Sequence, residues 1–205
     1  MFLCSPGNPT AKAIPLEDVK AVASSPRCSG IVVVDEAYVD FSDKGSAVSL
    51  IREYPNIVVL QTLSKAFGLA GARCGFAFGS PDVIQLMNNV KAPYNVNSLT
   101  SEVALNALES SSTLQTKVKS ILEQRSFVAK NLEALDFVVK VYPSDSNFLL
   151  FRLKANAMKI YKTVSSSSSE ISLFERKFLS LSSHGHQLDG KQRSCNAFPR
   201  IRTPL

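Results

Sequence analysis

Ile31-Val32-Val33-Val34-Asp35-Glu36-Ala37-Tyr38 decides how the rest of the chain is read. Four consecutive β-branched residues with no polar alternation mark a strand of the kind buried in a parallel sheet. The run ends on a carboxylate, at the strand end where open α/β sheets bind their ligands. Burying a lone carboxylate is costly, so Asp35 calls for a cationic or N–H partner. Tyr38, three residues on, is near enough to aim a phenol at the same place. The same segment reads equally as a capping Asp followed by a core Tyr.

Outward from this stretch the pattern repeats. Ile57-Val58-Val59-Leu60 is a second apolar run, Phe2-Leu3-Cys4 reads as the end of a strand, and Arg73–Phe78 as a further strand. Pro15 opens a helix through Val22, with Glu17 and Asp18 in the first turn where acids suit the helix dipole. Pro81–Val90 reads as another helix. Alternating elements of this kind predict an α/β fold, a mostly parallel sheet with flanking helices. The period then changes. Leu114, Val118, Ile121, Leu122, Val128, Leu132 and Leu135 recur at helical steps and predict one long amphipathic helix. Phe137–Tyr142 and Asn147–Leu153 follow as strands, which marks passage into a second, smaller α+β domain. Ser165–Ser169 is a serine tract. Ile171–Leu181 is expected to form a helix, and the aperiodic remainder to be loosely ordered.

Composition bounds the function. The 205 residues suit one domain and a fraction of another, and 45% apolar with 20% charged residues is ordinary for a folded soluble chain. No apolar run reaches the roughly 18 residues of a membrane span, and the N-terminus has no signal-peptide pattern. The four cysteines lack metal-type spacing, so reduced thiols and a cytoplasmic location are expected. Half of the net charge of +6 falls in residues 165–205, six basic against three acidic side chains, with no aromatic interleaving. That argues against a nucleic-acid binder. His184 and His186 have no third ligand nearby, so no metal is expected.

Three more segments carry chemistry. In Ser5-Pro6-Gly7-Asn8-Pro9-Thr10, prolines and a glycine fix a turn past a strand end, and Asn8 offers an amide; a plain turn is the bland alternative. In Thr62-Leu63-Ser64-Lys65-Ala66-Phe67-Gly68, a lysine follows two hydroxyl residues at a strand end. A desolvated lysine forms Schiff bases, although most lysines are merely solvated. In Gly71-Ala72-Arg73-Cys74-Gly75, a guanidinium stands among small residues and suits a phosphate, or else makes a surface ion pair.

Together, SPGNPTAKAIPLEDV, VVVDEAYVDF, TLSKAFGLAGARCGFAFG and KAPYNVNSLT resemble the fold-type I, pyridoxal-phosphate-dependent aminotransferases of class I/II. Within them the likeness is to the histidinol-phosphate aminotransferase family, through YPSDSNFLLFRL and as far as about residue 163. The resemblance implies a transferase of L-histidine biosynthesis. It would exchange an amino group between L-histidinol phosphate and 2-oxoglutarate, the amino donor and the 2-oxo acid, with pyridoxal 5′-phosphate as cofactor and a homodimer as the full-length assembly. Carried over by residue, Lys65 would form the Schiff base and shuttle the proton. Asp35 would pair with the pyridinium N–H, Asn8 and Tyr38 would bond the ring's 3-oxygen, and Thr62, Ser64 and Arg73 would hold the phosphate. Residues 1–112 would be the C-terminal portion of the large domain and 113–164 part of the small one. Residues 165–205 would be a divergent, disordered tail, such as translated non-coding sequence. Two departures accompany the likeness. Ala11 stands where the family often has Gly. The family's preceding region, with its phosphate cradle, ring-stacking residue and residues crossing to the partner subunit, and its downstream carboxylate-binding arginine are expected to be missing. Another class I/II aminotransferase, or an inactive fragment of one, is the alternative reading.

Overall fold

The computed structural model describes residues 1–154, 157–165, 171–174 and 178–182. Its first unit is a four-stranded sheet in the order β1-β2-β3-β4, formed by Phe2–Cys4, Val32–Asp35, Ile57–Thr62 and Gly75–Phe78. β1 pairs with β2 and β2 with β3 in parallel, while β4 returns antiparallel to β3. The mostly parallel sheet is thus as the apolar runs predict. α1 (Leu16–Ala23) begins immediately after Pro15 and carries Glu17 and Asp18 in its first turn.

Strand alternation explains the core. Val32 and Val34 of β2 face the same way as Ile57 and Val59 of β3. All four are fully buried with Val19 and Ala23 of α1 and with Ala47 and Leu50 of a 3₁₀ turn. Val33, on the opposite face, is only half-buried. A second cluster joins Leu63 and Cys74 to Ala104 of α3 (Ser98–Glu109). The sequence reading missed α3, although Asn97 gives a clear start signal: its side-chain oxygen accepts from the Thr100 N–H at 2.8 Å. α2 (Pro81–Val90) has the predicted bounds but buries none of its residues. Leu86 and Val90 of α2, Leu99 and Leu105 of α3, and Tyr94 between the helices are exposed.

α4 (Ser111–Glu133) is the predicted long helix. It packs on a second, antiparallel sheet of order β5-β6-β8-β7, where Leu132, Val138 and Val141 pack against the buried Phe151 and Leu153. β5 is Val138–Val141, β6 Phe148–Leu153, β7 Ile171–Phe174 and β8 Phe178–Ser182, with α5 (Ala157–Ser165) between β6 and β7.

Here two expectations are corrected. The helix anticipated over Ile171–Leu181 is two strands, with Phe148 opposite Ser182 and Arg152 opposite Phe178 across the β6–β8 ladder. The reason is legible in Leu179-Ser180-Leu181-Ser182, where apolar and polar residues alternate at the strand period. An unpaired β6 edge also offers a row of backbone groups with which another strand can pair. Consequently residues 171–174 and 178–182 belong to this second sheet rather than to a structureless tail. Residues 183–205, including His184 and His186, lie outside the described residues.

The two sheets meet through side chains near the N-terminal loop. Lys12 Nζ lies 2.8 Å from Asp145 Oδ2, which also accepts from the Ala13 N–H at 2.9 Å. Asp145 N–H donates to the Ala11 carbonyl at 2.6 Å. Arg125 of α4 donates to the Ser146 carbonyl at 2.7 Å. Among the described residues no helix is long and apolar enough to cross a membrane.

Candidate active site

The parallel pairing sets the site. Cys4, Asp35 and Leu60 lie side by side in register, so three strands end on one edge. The row continues beyond the strands: Ser5 N–H donates to Asp35 O at 2.9 Å and Glu36 N–H to Leu60 O at 2.8 Å. The antiparallel partner adds the fourth segment, since Thr62 opposite Gly75 puts the turn carrying Arg73 at this same edge. Gly75 admits no side chain there, because a Cβ would come within 2.9 Å of the Gln61 carbonyl. Asn8, Asp35, Tyr38, Thr62, Ser64, Lys65 and Arg73, scattered over 66 positions, therefore share one sheet edge.

Each side chain has a local cause for its position. Asp35 Oδ1 accepts from the Ala37 N–H at 3.1 Å, an Asx turn that fixes the carboxylate as the chain leaves β2. Tyr38 is half-buried and opens a 3₁₀ turn over Val39–Phe41. Its ring meets Phe148 of β6 edge-on, with centroids 5.3 Å apart at 76°. The Lys65 ammonium lies 5.2 Å from the Tyr38 ring centroid, within cation–π range. Lys65 stands between Leu63 and Ala66, both buried, which anchor its segment from either side. The Thr62 hydroxyl donates to Ser64 Oγ at 2.9 Å and accepts from the Ser64 N–H at 3.1 Å.

Arg73 and Asn8 stand exposed at the rim. Arg73 occupies the left-handed region at φ 54°, ψ 43°, and donates to the Ala70 carbonyl at 3.2 Å. The structure thus joins Lys65 to Tyr38 and Thr62 to Ser64 directly, and brings Asp35, Asn8 and Arg73 to the same edge.

Sequence reasoning missed three residues that organise this edge. Phe148 orients Tyr38 from the second sheet. Asp145 ties down the loop that follows Asn8. Glu36, only 3% exposed, accepts three hydrogen bonds beside Asp35. Glu36 carried a signal, being a second carboxylate directly after a buried strand, whereas Phe148 and Asp145 depend on contacts over more than a hundred residues.

A groove between Asp40 and the N-terminal half of α4, lined by Leu114, Val118, Lys119 and Leu122, lies apart from these side chains and includes none of them. Burial there holds the Asp40 carboxyl above its ordinary range, with the Glu36 charge adding to the effect and its own backbone hydrogen bond opposing it. Among the described residues no group of three or more His, Cys, Asp or Glu side chains could hold a metal ion.

A lysine, a carboxylate and hydroxyls aligned on successive strand ends define a class of protein, and comparison with known families agrees. The sequence profile described as aminotransferase class I and II matches residues 1–183, and the chain belongs to that family. Its relatives include the histidinol-phosphate aminotransferase of Cytophaga hutchinsonii, 46% identical over 161 residues, which cover 78% of this chain and 45% of the relative. That of Schizosaccharomyces pombe is 48% identical over 156 residues, covering 74% and 41%. Among solved structures, the histidinol-phosphate aminotransferase of Sinorhizobium meliloti, determined in complex with pyridoxal-5′-phosphate, shares the fold. Its TM-score is 0.78 at 24% identity, covering 88% of this chain and 52% of that one. The chain spans less than half the length of the curated relatives it matches. The profile runs past residue 163, where the likeness was expected to fade, and takes in the β7–β8 hairpin.

Proposed function

We propose that this chain carries the cofactor-holding part of a pyridoxal-phosphate-dependent transaminase. Its reaction would convert L-histidinol phosphate and 2-oxoglutarate to imidazole acetol phosphate and L-glutamate in L-histidine biosynthesis. The observation that carries this reading is the placement of Lys65 against Tyr38 at the edge where β1, β2 and β3 end together. The donor set fits the cofactor: an amine for its aldehyde, a carboxylate for its ring nitrogen, and hydroxyls with a guanidinium for its phosphate. When bound, the cofactor supplies an aldehyde carbon and an electron-withdrawing ring.

Everything else falls to the chain. Lys65 Nζ would hold the cofactor at its aldehyde carbon, and as a free amine would carry the proton to and from the substrate Cα. Asp35, held by its Asx turn, would accept the ring N–H and keep that nitrogen protonated. Tyr38 and Asn8 donate to the ring's 3-oxygen. Thr62, Ser64 and Arg73 hold the phosphate, Arg73 from the rim with two donors in a rigid fork. The amino donor and the 2-oxo acid occupy the site in turn, in a cytoplasmic homodimer.

Mixing the purified chain with pyridoxal phosphate tests the first part. A visible absorbance band that is lost in Lys65→Ala supports the cofactor reading, and no band at millimolar cofactor overturns it for this chain. Glutamate formation from L-histidinol phosphate and 2-oxoglutarate tests the substrate. A cofactor-loaded chain that aminates 2-oxoglutarate from aromatic amino acids but not from L-histidinol phosphate would replace that assignment.

A further inference from the structure

Glu36 is buried to 3% exposure at the centre of the site's framework, yet none of the roles above uses it. Its Oε2 accepts from Ser46 Oγ at 2.6 Å and from Gln61 Nε2 at 2.9 Å, and its Oε1 accepts from the Ala47 N–H at 2.6 Å. All three donors are neutral. A carboxylate taken out of water is tolerated only when its oxygens are satisfied this fully, and such charge-assisted bonds are about twice as strong as neutral ones.

The three bonds run in functionally different directions. Glu36 follows Asp35 and precedes Tyr38 by two residues. Gln61 lies in β3 directly before Thr62 and four residues before Lys65. Ala47 begins the 3₁₀ turn whose Ala47 and Leu50 sit in the first core. One side chain therefore ties the loop carrying Asp35 and Tyr38 to the strand end carrying Thr62, Ser64 and Lys65, and both to the core. Backbone pairing does not do this beyond Glu36, because the last β2–β3 link there is Glu36 N–H to Leu60 O.

We propose that Glu36 is a positioning residue, a buried carboxylate brace that holds Tyr38 opposite Lys65 by locking the loop after β2 to the end of β3. The inference rests on the transaminase reading for its consequence, though the brace itself is a property of the chain alone. Glu36→Gln places an amide against the Gln61 amide donor. The double variant Glu36→Gln/Gln61→Glu exchanges the two groups and restores a carboxylate–amide pair.

Two measurements on the full chain test the brace. Without cofactor, hydrogen–deuterium exchange in Glu36→Gln rises about tenfold in peptides covering 35–41 and 61–66 together, while α4 and β5 stay unchanged; the exchanged pair brings both peptides back. Exchange that rises throughout the chain, or in neither loop, overturns the proposal. With pyridoxal phosphate, the apparent Kd rises about tenfold, the worth of roughly one hydrogen bond, and the pH midpoint of the visible band moves. Both return in the double variant. A folded Glu36→Gln with unchanged Kd and midpoint also overturns it. Absence of a band in the unsubstituted chain defeats the transaminase reading for this chain, while the exchange data still decide the brace. Where Glu36→Gln loses its far-UV spectrum, Gln61→Leu removes the cross-strand donor alone and carries the same two measurements.

Discussion

Lys65 Nζ lies 5.2 Å from the centre of the Tyr38 ring. That ring is in turn held edge-on by Phe148. The lysine of the first sheet is therefore oriented by a phenylalanine of the second, through a tyrosine between them. Phe148 is 5% exposed, so Phe148→Ala opens a cavity and is expected to cost about 3 kcal/mol in urea unfolding. Tyr38→Phe keeps the ring and its two neighbours, and is expected to leave stability within about 1 kcal/mol. The two variants then separate. Both weaken pyridoxal phosphate in an absorbance titration, but only Phe148→Ala does so with loss of stability.

Arg73 pays for its place with a left-handed backbone, at φ 54°. A non-glycine residue there costs roughly 1–2 kcal/mol. Arg73→Gly removes that strain together with the bond to the Ala70 carbonyl, so the two changes offset and stability should move by less than about 1 kcal/mol. Cofactor affinity should fall at least tenfold, because the phosphate loses a charged bidentate donor. Arg73→Lys should not restore it, a lysine being a point charge without the planar fork. Unfolding and cofactor titration of the same three proteins decide this.

Asp40 gives a pH-dependent prediction of unusual sign. Burial, aided by the charge of Glu36, raises its carboxyl pKa above the ordinary 3.8. The folded chain then binds this proton more tightly than the unfolded chain, so stability from this group falls as pH rises from 3.8 through the raised value. Asp40→Asn is therefore expected to stabilise the chain at pH 7 and to be neutral near pH 3. Urea midpoints at both pH values check it; an equal effect at both would show that packing, rather than ionisation, governs the site.

The local elements were legible in the sequence because they depend on period and composition. The Ile31–Val34 and Ile57–Leu60 runs declare buried strands, Pro81–Val90 carries its own start signal, and the Leu114–Leu135 pattern has no strand interpretation. The site lysine and Asp35 were legible because each stands directly after such a run. The hairpin at 171–182 was misread because a short apolar stretch suits both periods, and the deciding influence, the open edge of β6, lies more than twenty residues before the β8 strand that pairs with it. Phe148 matters through a partner that topology alone supplies, so no local pattern announces it, while Glu36 showed itself only as a second carboxylate after a buried strand.

Asp145 completes the tie between the Asn8 loop and the β5–β6 turn, and its ionisation strengthens that tie beyond the backbone bond to Ala11. Burial raises its carboxyl pKa, but the Lys12 hydrogen bond, the Ala13 N–H and the charges of Lys12 and Lys44 together outweigh burial and leave it below 3.8. For a carboxyl depressed in the folded state, the stabilisation is complete above the unfolded value and is lost as pH falls through the folded one. The Lys12 partner is half-exposed, so the pair is worth at most about 1 kcal/mol. Asp145→Asn should therefore lower stability by about that much at pH 6, and the difference from the unsubstituted chain should close as pH falls below 3.8 and through the lower folded value. Because the bonds join the Asn8 loop to the second sheet, Asp145→Asn should also raise hydrogen exchange in residues 7–13 at pH 6 without touching residues 57–66. Exchange that rises equally in both segments would show that Asp145 supports the whole first sheet rather than the loop.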